Sequence, residues 1–308
     1  MPLLALPNEL LELIAEALPS SRHISALARA NHELYGLLNP YLYRQDARSG
    51  GSSALLWAAD NGADQTATLA LRHRADVRST NALKQSPLLL AVLGRHHAVA
   101  RLLLQFEAVE VNFHSMVFTK QKRQPDYFIY DYQTPIICAA KNGDEQMVRL
   151  LLQHPDLDVN DMHKCNNRNT ALIWAALEGH ARIVDLLLSH KDIEINGKNL
   201  LGMSALSCAA REGHQAVVQS LLSFPELDVN SKIHSDSLPQ PELPRSLGYA
   251  RTALQLAVAG GHNSIVKLLL SRTDIDTRVR DARGHTPVEV ALKEGNMEAY
   301  ALLTEHGI

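Results

Sequence analysis

The sequence predicts an all-α fold: a solenoid of stacked helix-turn-helix repeats with hairpin loops, behind a short three-helix module. Three observations predict it. Seven segments share one register between residues 53 and 308. Each is followed, at a fixed distance, by an apolar triplet or its relic. The residues ahead of them, 6 to 44, obey a different, leucine-rich pattern.

The seven segments are "SALLWAADNG" (53–62), "SPLLLAVLGR" (86–95), "TPIICAAKNG" (134–143), "TALIWAALEG" (170–179), "SALSCAAREG" (204–213), "TALQLAVAGG" (252–261) and "TPVEVALKEG" (286–295). Their starts are spaced by 33, 48, 36, 34, 48 and 34 residues. The two long spacings are one repeat plus an insertion. Each segment opens on a hydroxyl, at Ser53, Ser86, Thr134, Thr170, Ser204, Thr252 or Thr286, which can cap a helix N-terminus. Pro87, Pro135 and Pro287 follow at the first helical position, where no amide donor is missed. Small pairs such as Ala139-Ala140 and Ala175-Ala176 let helices approach closely. Gly62, Gly143, Gly179, Gly213, Gly261 and Gly295 supply the turn that ends the short helix. The second repeat has Arg95 there instead. "IVDLLL" (183–188) and "IVKLLL" (265–270) are the buried stripe of a second, amphipathic helix. In the first repeat "TATLALRHRADV" reads as a weak second helix. "DVN" at 158–160 and 228–230 leads into the next hairpin.

This pattern resembles the ankyrin repeat, whose period is about 33 residues with the signature T-P-L-H-x-A. The resemblance covers residues 53–308 in about seven repeats. It departs at the signature histidine, replaced by Leu56, Leu89, Ile137, Ile173, Ser207, Gln255 and Glu289. That removes a local hydrogen bond and adds apolar surface in the first four repeats.

The front module, residues 1–45, divides into helices near 8–17, 23–31 and 33–43. Asn8 follows Pro7 and caps the first, with Glu9 in its first turn. Leu10, Leu13, Ile14 and Leu18 form one stripe, and Leu27, Leu34, Leu37 and Leu38 continue it. Pro19 ends the first helix. "LPNELLELIAEALP" and "ISALARANHELYGLLNPYLYR" resemble an F-box, although Tyr35 stands where a tryptophan is often seen. The resemblance implies docking on the Skp adaptor of an SCF-type cullin–RING ubiquitin ligase, through Leu6, Pro7, Leu10, Ile14 and Ile24. The alternative is that three helices merely cover the open solenoid end. "QDARSGGS" (45–52) reads as a short linker that keeps the module close to the first repeat.

Both insertions precede a capping threonine, where hairpins project, and insertions in a solenoid gather on one face. The first, 113–133, holds Phe113, Phe118, Tyr127, Phe128, Tyr130 and Tyr132, six of fifteen aromatics. Lys120, Lys122 and Arg123 sit among them. Aromatics with basic residues are common interface anchors; folding back onto adjacent hairpins is the alternative. The second, 232–250, reads as a flexible Ser/Pro/Gly loop.

Composition narrows the function. With 46% hydrophobic residues and 20% charged, the chain is a globular one with ample core material. Net charge is −3, which argues against nucleic-acid binding. No run approaches the roughly 20 apolar residues of a membrane span. Glu9, Glu12 and Glu16 interrupt the apolar run at the N-terminus, so no signal peptide is expected. Cys138, Cys165 and Cys208 form no disulfide framework, so the expected compartment is reducing, cytoplasmic or nuclear. His180, His214 and His262 each follow a repeat glycine on separate repeats, so they cannot converge on one ion. Cys138 and Cys208 share a buried repeat position. No nucleophile, phosphate-loop or zinc motif appears. The chain is therefore expected to be no enzyme and to need no cofactor.

The expected function is substrate recognition for a ubiquitin ligase: the front module holds the Skp adaptor and the repeats hold a client protein. A ligase-independent ankyrin scaffold is the alternative. By family resemblance, client contacts run along hairpin tips and the ends of the inner helices: Lys141 and Asn142, Leu177 and Glu178, Arg211 and Glu212. Phe118, Tyr127, Phe128 and Tyr130 of the aromatic insertion would overhang that strip.

Overall fold

The structure, a computed structural model, describes residue 14 and residues 42–48, 52–121, 124–162, 168–233 and 250–306, with backbone alone for those between 118 and 131. Two compact units form, Met1–Val117 and Phe118–Ile308. The first contains a helical segment at 42–48, then α1 (Ser53–Asn61), α2 (Asp64–Arg72), α3 (Pro87–Leu93) and α4 (His97–Leu103). The second contains α5 (Pro135–Lys141), α6 (Glu145–Leu151), α7 (Ala171–Glu178), α8 (Ala181–Leu188), α9 (Ala205–Glu212), α10 (Gln215–Leu222), α11 (Ala253–Ala259), α12 (Asn263–Leu270), α13 (Pro287–Glu294) and α14 (Met297–Glu305). The all-α solenoid is as expected. The addition is a two-stranded sheet, β1 (Ser115–Gln121) and β2 (Gln124–Gln133), formed by the first insertion; the unit boundary falls within β1.

Each odd-numbered helix pairs with the next even one. In the second unit the odd helices stack on one another in one layer and the even helices in a second. The small pairs make this possible: Ala175, Ala176, Ala209 and Ala210 are all fully buried between neighbouring helices. In α8, Ile183, Val184, Leu187 and Leu188 are buried while Asp185 faces out. Burying one such side chain contributes about 1.5–3 kcal/mol. Within each unit, helix pairs pack on adjacent helix pairs, so each core is built repeat by repeat.

Hydroxyl caps form as expected at Ser86, Thr170, Ser204, Thr252 and Thr286, each accepting from the amide three residues on. Two differ. Thr134 has the extended cap backbone but no side-chain bond, and its buried Oγ1 has no partner. Ser53 is not the cap residue of α1. The cap is supplied from outside the repeat: Asp46 Oδ1 accepts from the Ser53 amide (3.1 Å) and hydroxyl, and its Oδ2 from the Ala54 amide (2.9 Å). A carboxylate outcompetes a hydroxyl here because it also neutralises the positive helix end. Residues 45–48, expected as linker, are thus helical and dock on the first repeat, where Tyr43 also lies parallel to the His73 ring at 6.1 Å between centroids. Helix α2 forms over nine residues, with Asp64 in the first turn and Arg72 in the last favourable to the helix dipole, but it has no side-chain cap and buries only Ala67 and Ala70.

At the signature-histidine position the lost hydrogen bond is replaced in two repeats. Gln255 closes a capping box with Thr252 and donates to the carbonyls of Val279 (3.1 Å) and His285 (2.8 Å). Glu289 closes a second box with Thr286 (2.7 Å). Leu89, Ile137 and Ile173 there are buried, as expected for the early repeats.

Thr170 Oγ1 accepts from the Ile173 amide at 3.3 Å. Thr170→Ala should therefore cost about 1 kcal/mol. Hydrogen exchange should show the fourth repeat loosening before the seventh, since coupling runs only between neighbours. Uniform loosening, or none, would contradict this.

Candidate protein-binding surface

The inner-helix ends form a strip whose backbone is pinned from the next repeat. His180 Nε2 lies 3.3 Å from the carbonyl of Lys141. His214 Nε2 lies 3.0 Å from that of Leu177, and His262 Nε2 3.1 Å from that of Arg211. In the first unit His96 does the same to Asp60 at 3.0 Å. Each ring occupies space that only a glycine below leaves open: a Cβ on Gly179 would sit 2.6 Å from His214 Nδ1. The histidines set aside as scaffold are scaffold with a task, since they hold the carbonyls of three expected contact residues.

The side chains on the strip are mixed in charge. Lys141 places its ammonium 4.2 Å from the centre of the Trp174 ring, a cation–π contact. Leu177 and Glu178 are half-buried, and Asn142 is exposed. Arg211 bonds Glu212 (2.8 Å) and reaches the Met203 sulfur (3.2 Å). The structure therefore joins Lys141 to Trp174 and Arg211 to Glu212. Phe118 lies in β1, and Tyr127, Phe128 and Tyr130 lie in β2, but their side chains lie outside the described residues. So do Leu6, Pro7, Leu10 and Ile24 of the front module; Ile14 is helical and half-buried. Most of the second insertion, residues 234–249, and Cys165 also lie outside.

Sequence reasoning missed the two tryptophans. Trp57 and Trp174 occupy the position one before the small pair, held elsewhere by Leu90, Cys138, Cys208, Leu256 and Val290. Those smaller residues are buried, whereas Trp57 is 56% exposed and Trp174 half-buried. In this small slot the large Trp174 ring reaches Lys141 on the strip. Register alone would have found it. Cys208 in the same slot is chemically quiet, because burial pushes its thiol up to about 12.

The hairpins are joined as regularly as the helices. Asn160 donates to the Asp192 carbonyl (2.6 Å) and accepts from the Glu194 amide (2.8 Å). Asn196 repeats the pair with Glu226 and Asp228, and Asn230 with Asp274 and Asp276. The loops Asn81–Gln85, Asn199–Met203 and Asp281–His285 are closed by a side-chain oxygen accepting two amides. The signal "N/D-x-x-x-x-S/T" before a capping hydroxyl was present in the sequence and unread. Burial opposes ionisation of Asp281, but the amides of His285 and Arg283 outweigh it, with the charges of His285 and Arg251 adding, and hold its carboxyl below the usual range. Its stabilising effect is present above the unfolded value and is lost as pH falls through the lower folded one.

Among the described residues no helix is long and apolar enough to cross a membrane, and no three His, Cys, Asp or Glu side chains gather as a metal site. A family profile described as ankyrin repeats (3 copies) matches residues 114–199, 136–233 and 238–308. No curated protein matches the chain in sequence. Those matched residues span well over half of the chain, and together with the stacked helix pairs they place it: the protein belongs to the ankyrin-repeat family.

Proposed function

We propose that this chain is a two-ended adaptor. The repeats bind a client protein, and the front module docks the Skp adaptor of a cullin–RING ubiquitin ligase. The client-binding end rests on one observation above all: the carbonyls of Lys141, Leu177 and Arg211 are pinned by histidines of the following repeat. A pinned strip loses little freedom on binding, which favours affinity. Trp174 beside Lys141 adds an aromatic anchor with a polar surround. The docking end is supported by the "LPNELLELI" opening of residues 6–14, and directly after that module Asp46 caps the first helix of the first repeat. With the client on one end and a transferase on the other, the chain acts by proximity, raising the effective concentration of client lysines. A ligase-independent scaffold uses the same strip without the front module.

Co-purification with the Skp adaptor separates the two readings. The full chain should retain the adaptor, and Leu10→Glu should abolish retention while the solenoid melts as before. Equal retention by Leu10→Glu would remove the F-box assignment and leave the scaffold reading.

A further inference from the structure

The hairpins of the second unit carry a second linear feature, separate from the inner strip. Two residues beyond two of the three bridging asparagines stands a cation, Lys198 after Asn196 and Lys232 after Asn230 (Met162 follows Asn160), with Arg280 at the same register of the last repeat. All three are exposed. Lys198 Nζ donates to the Lys232 carbonyl at 3.4 Å, and Lys232 Nζ donates to the Arg280 carbonyl at 3.2 Å. The charges are therefore strung along the stacking direction, one per repeat.

Among the described residues no carboxylate lies within ion-pair distance of Lys198 or Lys232, whereas Arg280 has Glu289 at 3.4 Å. An ammonium has three donors, and a single carbonyl bond leaves the others for a partner. Exposed Arg278 and Arg283 extend the cationic end. An acidic row runs alongside, two residues before the asparagine register: Glu194, Asp228 and Asp276, all exposed, their amides held by the asparagines.

We propose that the row of Lys198, Lys232 and Arg280 holds an extended acidic segment of a protein partner, with a carboxylate at every third residue. Packed helices lie up to about 10 Å apart, and an extended chain in the polyproline II conformation rises about 3.1 Å per residue with three residues per turn, so every third side chain faces one way and three residues span one repeat. The parallel acidic row sets the class of partner. It repels a continuous polyanion such as a nucleic acid but tolerates a segment whose charges are spaced and whose intervening residues are neutral. This inference rests on the client-binding reading of the solenoid and adds the chemistry of the client.

The test is fluorescence anisotropy with the full chain at low salt and two labelled Ser/Thr-based peptides, one with three glutamates at every third position and one with the three adjacent. The spaced peptide should bind at least about tenfold more tightly than the adjacent one, because only it matches charge to charge. The double variant Lys198→Glu, Lys232→Glu should lose about tenfold for the spaced peptide and gain binding to a peptide with lysines in the same spacing. Both positions are exposed, so its melting should be unchanged; if it falls, Lys198→Gln, Lys232→Gln serves instead and should weaken the spaced peptide several-fold. Three results would each overturn the proposal: no discrimination between the two glutamate peptides or no binding of either, undiminished binding by the lysine variants, or equally tight binding of a single-stranded oligonucleotide. None of these would disturb the inner-strip or adaptor readings, which are assayed by co-purification.

Discussion

Gly179→Ala should destabilise the solenoid by about 2–4 kcal/mol, one of the largest effects available from adding a single methyl group. Two costs combine. Gly179 has φ +80, where an L side chain loses roughly 1–2 kcal/mol. The new Cβ would also sit 2.6 Å from His214 Nδ1, so the ring must move and its 3.0 Å bond to the Leu177 carbonyl is lost. Gly295→Ala is the control. It has φ +71 but nothing within 4 Å of the added Cβ, so it carries the backbone cost alone. Denaturant midpoints should rank wild type, Gly295→Ala, Gly179→Ala in decreasing stability. Equal losses at the two glycines would mean that the histidine bridges contribute nothing.

Replacing Tyr127, Phe128 and Tyr130 together with Ser should weaken client binding by at least about 2 kcal/mol, roughly thirtyfold, with little change in melting temperature. These residues lie in β2, a strand of a two-stranded sheet and not part of the stacked helices, so removing them should leave the solenoid core intact. The client is the protein that crosslinks to the wild-type chain, and the comparison is recovery by the variant at equal protein concentration. Early melting together with normal recovery would make the rings structural and move the contact elsewhere on the strip.

What the sequence made legible follows from how local each feature is. Caps, proline starts and glycine stops depend on residues a few positions apart, and five of seven hydroxyl caps stand where expected. The failures are non-local or competitive. Asp46 took the cap of α1 from Ser53 across seven residues, and a Gly/Ser-bearing stretch hid its helical start. Arg95 adopts φ +57 in the place of a glycine, so the turn is set by the stack and not by propensity. Residues 115–133 alternate weakly in hydrophobicity, and their aromatic content drew attention away from a strand pairing. The histidine and asparagine bridges join residues thirty or more positions apart, which period alone cannot announce.

The proposed docking end and client end should work together on one chain. The most direct measurement immobilises the Skp adaptor, adds the full chain and the crosslink-identified client, and quantifies client retained. Client should be retained by the wild type only. It should be lost with Leu10→Glu, which still binds client in solution, and lost with the triple serine variant, which still binds the adaptor. Client retained equally by Leu10→Glu, or an adaptor surface that never holds the wild-type chain, would show that the chain is not such a two-ended adaptor.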